Sequence, residues 1–412
     1  MQRTQHYLSW LPESAVEGYV TVKKKIEVFK RDILYQYYSI KANQSGMSSQ
    51  VMHAFAKMLL KNYKYIGTPQ GVTYFVSLER KDYQDFMDSA VEKVSEKSRL
   101  QKQVNICINL QNLVMMFRRT DAFAQTKLIA LPQVGDEETI VKPSFWERVV
   151  IFFNLITGMG IYNSFSKLDF SQAKKIVVLG DVWQEESMLM QYANDRGIDS
   201  VTCQHALFIP GIGNSTYDIL NMWMVKAETA LLWGQYTEEQ YRNFNPNLKC
   251  EVCGNPTIIE KKYHENADII GIAMDLPRMH EYNQKMIDVV ESYARNTSKK
   301  VRLRIHPADK KENYRVNGKI CEFSSNLDDS FFIVAHTTTM IFTYLLSGKK
   351  VLKFKSDIPF FPVDKNMVFD TLDDLTKCVN YFNNFDCSKM AKNEISYIGE
   401  ESAFKYKECL EN

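Results

Sequence analysis

From Lys175 onward, short β-branched runs alternate with stretches of helical periodicity, and this alternation limits the fold more than any other feature of the chain. Lys175-Ile176-Val177-Val178-Leu179-Gly180-Asp181 is apolar at successive positions, so it reads as a strand covered on both faces. Residues 184–196 read as a helix closed by Gly197, and 200–204 as the next strand. Such βαβ spacing predicts a parallel, Rossmann-like sheet, which 229–234 and 250–253 extend. A second series follows, with strands predicted at 268–274, 301–305, 331–335 and 350–354 and helices at 281–296 and before Gly348. At 412 residues the chain exceeds one ordinary core. The predicted division is 1–256, 257–399 and a final helix, 400–412, packing back across the junction; Asn255-Pro256 marks the boundary.

Before Asp169 the pattern is mainly helical, at 19–38, 48–63 and 81–113, with strands at 71–78 and 127–132 and a helix from 144 that Ser144 caps. Its basic run, Lys23-Lys24-Lys25 with Lys30 and Arg31, reads as a solvated face. The greasiest stretch, 149–160, is shorter than a bilayer crossing and reads as a core helix, with a membrane-surface helix as the other reading. Basic and acidic residues balance at 51 against 49, which gives no field to attract nucleic acid. Eight scattered cysteines and a start without signal-peptide character predict a cytoplasmic protein. Cys250-x-x-Cys253 has no second pair at zinc spacing, so no metal is predicted. Walker, dinucleotide-fingerprint and nucleophile-elbow motifs are absent from the sequence.

Three polar clusters at predicted strand ends are the candidates for chemistry. In Arg302-Leu303-Arg304-Ile305-His306-Pro307, alternation puts both guanidinium groups and the imidazole on one face. His336-Thr337-Thr338-Thr339 precedes a helix, a setting in which hydroxyls and backbone N–H groups suit an anion. His205 ends the strand 200–204, and Asp181, with Glu185 and Glu186 one turn later, ends the preceding strand. Any of these acids could deprotonate a hydroxyl or orient His205; a plain helix-capping role for Asp181 is equally open.

Gln204-His205, Gly254-Asn255-Pro256, Arg304-Ile305-His306-Pro307 and the threonine turn before Gly348-Lys349-Lys350-Val351 occur in an order that resembles bacterial GT-B-fold transferases of surface polysaccharide synthesis. The similarity is to sialyltransferase- and polysialyltransferase-like enzymes and to the related CDP-glycerol polyol-phosphate transferases. It implies an α/β chain of two Rossmann-like domains facing across a cleft, with an N-terminal helical elaboration. It further implies that His306, Arg304, Thr337, Thr338, Thr339, Gly254, Asn255 and Asp275 bind a CMP- or UDP-linked sugar, and that His205, Asp181 or Glu185 faces the acceptor. The implied reaction is metal-independent, inverting sugar transfer to an oligosaccharide or lipid-linked glycan in capsule or lipopolysaccharide synthesis, without a cofactor or nucleic acid. The implied location is the cytoplasm, with peripheral association at the inner membrane left open. Polyol-phosphate transfer and a non-catalytic nucleotide-sugar-binding subunit are the alternatives, with a nucleotide-sugar epimerase ranked after them.

Overall fold

The computed structural model describes residues 46–119, 139–207, 225–263, 266–275, 277–307, 309–338, 340–356, 364–382 and 391–412, with short pieces at 123–124, 129–131 and 222. The predicted helix 19–38 with its basic run, and Thr339, lie outside the described residues. The chain divides into two compact units: Met1–Leu232 with Thr237–Cys253 and Ala403–Asn412, and Trp233–Tyr236 with Gly254–Ser402.

The first unit is built on a seven-stranded sheet in the order β1-β3-β2-β6-β7-β8-β9. Its strands are β1 (Lys61–Ile66), β2 (Gln70–Phe75), β3 (Lys97–Ile106), β6 (Gln172–Leu179), β7 (Asp199–Cys203), β8 (Thr229–Leu232) and β9 (Lys249–Val252). All neighbours are parallel except the edge pair β1–β3. Around it lie α1 (Met47–Leu60), α2 (Lys81–Ala90), α3 (Leu110–Arg118), α4 (Phe145–Phe165), α5 (Gln184–Arg196) and α6 (Gln235–Phe244), and β4 (Ile129–Leu131) pairs with β5 (Thr139–Val141). β6 is the predicted buried strand: Ile176, Val177, Val178 and Leu179 are almost fully covered.

The greasy stretch 149–160 is core. It lies within α4, where Ser144 and Glu147 close a capping box and Ile151, Ile156, Ile161 and Phe165 are fully buried. Phe165 stacks on Tyr65 at 3.9 Å and meets Phe75 edge-on. Among the described residues no helix is long and apolar enough to cross a membrane.

The N-terminal third contains more strand than its sequence suggests. The predicted helix 81–113 is instead α2, β3 and α3, and the predicted helix 48–63 stops at Leu60 where β1 begins. Lys97-Ser98-Arg99-Leu100-Gln101-Lys102-Gln103 carries long polar side chains that favour helix locally, and of these residues only Leu100 is buried. Pairing with β1 on one side and β2 on the other holds it extended.

The second unit has a six-stranded parallel sheet in the order β12-β11-β10-β13-β14-β15. The strands are β10 (Asn266–Ala273), β11 (Lys300–Arg304), β12 (Cys321–Phe323), β13 (Ser330–Ala335), β14 (Val351–Phe354) and β15 (Val368–Phe369), with α7 (His280–Asn296), α8 (Ile341–Leu346) and α9 (Leu372–Tyr381). Taken in chain order the sheet reads 3-2-1-4-5-6, the Rossmann order whose direction reverses between β10 and β13. Ile270, Ile272, Leu303, Phe332 and Val334 make its dry centre. Gly271 is needed there because a Cβ would stand 2.7 Å from both Ser330 Oγ and Ile333 Cδ1. The last helix, α10 (Gly399–Glu411), contributes Ala403–Asn412 to the first unit, where Tyr406 is fully buried and meets Phe86 edge-on.

Candidate functional site

In open α/β sheets ligands bind beyond the carboxyl ends of the strands where the order reverses. In the second unit that place lies after β10 and β13. Register pairs Ala273 with Arg304 on one side and with Ala335 on the other. Two residues past these positions in the chain come His306, Asp275 and Thr337, just beyond the ends of three neighbouring strands.

Asp275 is the hub of this group. Its carboxylate Oδ2 accepts from the Thr337 backbone N–H at 2.6 Å and from Thr337 Oγ1 at 2.8 Å, and His336 Nδ1 lies 3.3 Å away. Its own peptide is gripped by Asn283 of α7, whose Oδ1 accepts from Asp275 N and whose Nδ2 donates to Asp275 O. Asn283 also donates to Tyr314, which in turn donates to Asp309 in the turn whose amide bonds His306 O. One buried network therefore fixes both the β10 end and the His306 turn. The Thr337 amide and hydroxyl, predicted to face an anion, are engaged by Asp275. Arg304, two residues before His306, brings a guanidinium to this end of the sheet, and Arg304 and His306 are both half-buried.

His336 opens the candidate threonine cluster, but no role of its own is legible for it in the sequence. It is completely buried, stacks on Tyr282 with centroids 4.8 Å apart, and its Nε2 has no hydrogen-bond partner. Its position beside a threonine run was visible; its contact with Asp275 depends on strand pairing. Thr338 accepts from Met340 N at 3.5 Å at the start of α8. Arg304 contacts Met340. Arg302 pairs with Glu322 and Asp329, so it serves the sheet edge and not this group.

Gly254 and Asn255 lie elsewhere in the second unit. Asn255 N donates to Tyr397 O at 2.9 Å and its side chain accepts from Thr257 N and Oγ1, closing a turn against the segment before α10. Gly254 sits at φ +81° in contact with the Tyr397 carbonyl.

In the first unit, β2 and β6 form the corresponding reversal. Glu186, in the first turn of α5, is completely buried there and accepts from Ser77 N at 2.7 Å and Ser77 Oγ at 2.8 Å. Burial, aided by the charge of Glu185, pushes its carboxyl up to about 8. Glu185 itself, raised by burial against the pull of Lys102, pairs with Lys102 at 3.2 Å and accepts from the Tyr65 hydroxyl. Asp181 is buried and its Oδ2 accepts from the backbone N–H groups of Lys226 and Ala227. It does not cap α5, whose N-cap residue is Trp183. His205 lies against Trp183, 4.6 Å between rings, with its Nδ1 2.5 Å from where a Cβ on Gly180 would stand. Burial, then the nearby Arg80 charge, lowers its pKa to about 3, so the imidazole is neutral at working pH.

Because Glu186 has a higher pKa folded than unfolded, the folded chain holds its proton more tightly. The stability this contributes is complete below the ordinary carboxylate value of 4.5 and is lost as pH rises through about 8. Glu186→Gln should remove that dependence, so its urea midpoint relative to wild type should rise between pH values of about 5 and about 8. A constant difference across that range would contradict the assignment.

No protein-family model matches the chain, and no curated protein matches it in sequence. Solved structures do match in shape. A candidate UDP-N-acetylglucosamine 2-epimerase from Listeria monocytogenes aligns over 83% of this chain and 95% of its own, with TM-score 0.50 and 12% identity. The chain has the GT-B fold. A UDP-GlcNAc 2-epimerase from Neisseria meningitidis, bound to UDP-GlcNAc, aligns over 83% of this chain and 99% of its own, with TM-score 0.48 and 13% identity. Anabaena HepE, in complex with UDP and glucose, aligns over 83% and 94%, with TM-score 0.43 and 10% identity. Among the described residues no group of three or more His, Cys, Asp or Glu could hold a metal ion.

Proposed function

We propose that this GT-B protein is an enzyme acting on a nucleotide-activated sugar, and that it transfers the sugar to a glycan hydroxyl with inversion and without a metal. The observation that carries this is the hydrogen-bonded Asp275–Thr337 pair at the reversal point of the second sheet. Arg304 ends the neighbouring strand in register with Ala273, and His306 lies just beyond it. Arg304 supplies positive charge and His306 a hydrogen-bond donor for the leaving phosphate, the task a divalent ion would otherwise perform. Asp275 holds the β13 turn in shape. On the first unit, neutral His205 is a candidate acceptor-side group, and Asp181 supports the backbone beside it. Capsule or lipopolysaccharide assembly is the process such a transfer would serve.

Calorimetric titration with CMP, CDP, UDP and GDP tests the donor site. His306→Ala should weaken the preferred nucleotide by about 1.5–3 kcal/mol, the worth of a hydrogen bond to a charged group. Affinity equal to wild type would remove His306 from the site.

The fold shared with the Listeria protein favours one second reading, epimerisation of the nucleotide sugar. An epimerase converts its donor without an acceptor; a transferase releases nucleotide in step with glycan growth. Release of CMP with a transferred phosphate would identify polyol-phosphate transfer instead. Nucleotide binding with none of these turnovers would identify a binding subunit.

A further inference from the structure

We propose that the end of the antiparallel β1–β3 pair at Lys61 and Ile106 and the exposed face of α3 form a docking surface for an anionic lipid bilayer. The apolar groups there are too exposed for a surface that meets only water. Ile106 is 82% exposed at the end of β3, Ile108 is 62% exposed just beyond it, and Leu110 is 67% exposed at the first position of α3. Val114 and Phe117 continue the stripe at helical spacing, Phe117 being 71% exposed. The opposite side of α3 is occupied: Met115 and Met116 pack on the first unit's core, and Asn112 is buried with its Nδ2 on Met58 O. Asn109 caps the helix through Asn112 N and donates to Lys61 O, so the strand pair and the helix are tied together at their junction.

Charge selects the occupant. Between Gly46 and Leu78, and again between Lys97 and Arg119, there is no Asp or Glu, in a chain with 49 of them. Of their basic residues, Lys61 and Lys64 lie in β1 and Arg118 and Arg119 at the end of α3, whereas Lys102 is paired with Glu185 and Arg99 with Asp88. Lys61 is the cross-strand neighbour of Ile106, and Arg118 follows Phe117 directly. An apolar stripe with a basic border matches the acyl and headgroup layers of a membrane bearing anionic lipid. A second copy of the chain fits less well, because a two-fold contact would face these like charges against each other.

The test is co-sedimentation of the full chain with vesicles of phosphatidylcholine alone or of phosphatidylcholine containing phosphatidylglycerol. The protein should pellet with the phosphatidylglycerol vesicles and be released as salt shortens the screening length. Ile108→Ser with Phe117→Ser, and separately Lys61→Glu with Arg118→Glu, should each lower partitioning about tenfold or more. Thermal melts equal to wild type would show that both variants remain folded. Failure of the wild-type chain to pellet with anionic vesicles at low salt overturns the proposal, as does wild-type binding by both variants. Gel filtration showing a dimer that the Ile108/Phe117 variant dissociates, without vesicle binding, would assign the face to a second copy and overturn it too.

Discussion

Gly254→Ala should leave the protein unable to complete its second unit. A Cβ at this position would stand 2.0 Å from the Tyr397 carbonyl oxygen and 2.6 Å from its carbon, both backbone atoms that no rotamer change can move. The residue also sits at φ +81°, where an L side chain costs about 1–2 kcal/mol before any clash. Relief requires the 396–398 segment to withdraw, which breaks the Asn255 N to Tyr397 O hydrogen bond and the bridge between Asn255 and Ile398. With about 1–3 kcal/mol more for overpacking, the loss should approach the lower end of a domain's whole stability. The measurement is the urea midpoint, with Gly318→Ala as control because nothing lies within 4 Å of a Cβ there. Equal midpoints for the two variants would show that the turn at Gly254 yields easily.

Asp275→Ala should cost nearly as much and should also erase nucleotide binding. The substitution strands the Thr337 N–H and hydroxyl at the end of β13 and removes the carboxylate beside buried His336. Hydrogen bonds to a charged group are worth about 1.5–3 kcal/mol each, so the loss should be about 3 kcal/mol or more. Asp275→Asn keeps an oxygen acceptor and should fall between alanine and wild type. Thermal unfolding with and without nucleotide separates the two effects. A folded Asp275→Ala variant that keeps wild-type nucleotide affinity would show that the Asp275–Thr337 pair after β10 and β13 is structural only.

These two residues differ in how far their neighbourhoods could be read along the chain. Asp275 follows the apolar run Ile269-Ile270-Gly271-Ile272-Ala273, so its place at a strand end was legible. Its partner Thr337 ends another such run, and both runs announce themselves because strands covered on both faces must be apolar throughout. Gly254-Asn255-Pro256 was equally visible as a turn, but its contact with Tyr397 and Ile398 joins positions far apart in sequence. No local pattern reports such a contact.

Helix 81–113 failed as a prediction for a related reason. The residues of β3 are polar and long, so local propensity favours helix, and only hydrogen bonds to β1 and β2 make them a strand. Glu186 and His336 show the same limit for single residues: composition locates them in a helix turn or beside threonines, while their burial and partners come from elements elsewhere in the chain.

From Lys175 onward, hydrophobic period alone was enough to settle that the chain forms parallel α/β sheets and roughly where their strands end, because burial on two faces leaves a signature in a short window. β1 and β3, which lack that signature, were not legible. Strand order, and with it the pairing of Asp275 with Thr337, was decided only by folding. Register is a relation between distant segments, set by which apolar faces cover one another, and no single stretch of the chain carries it.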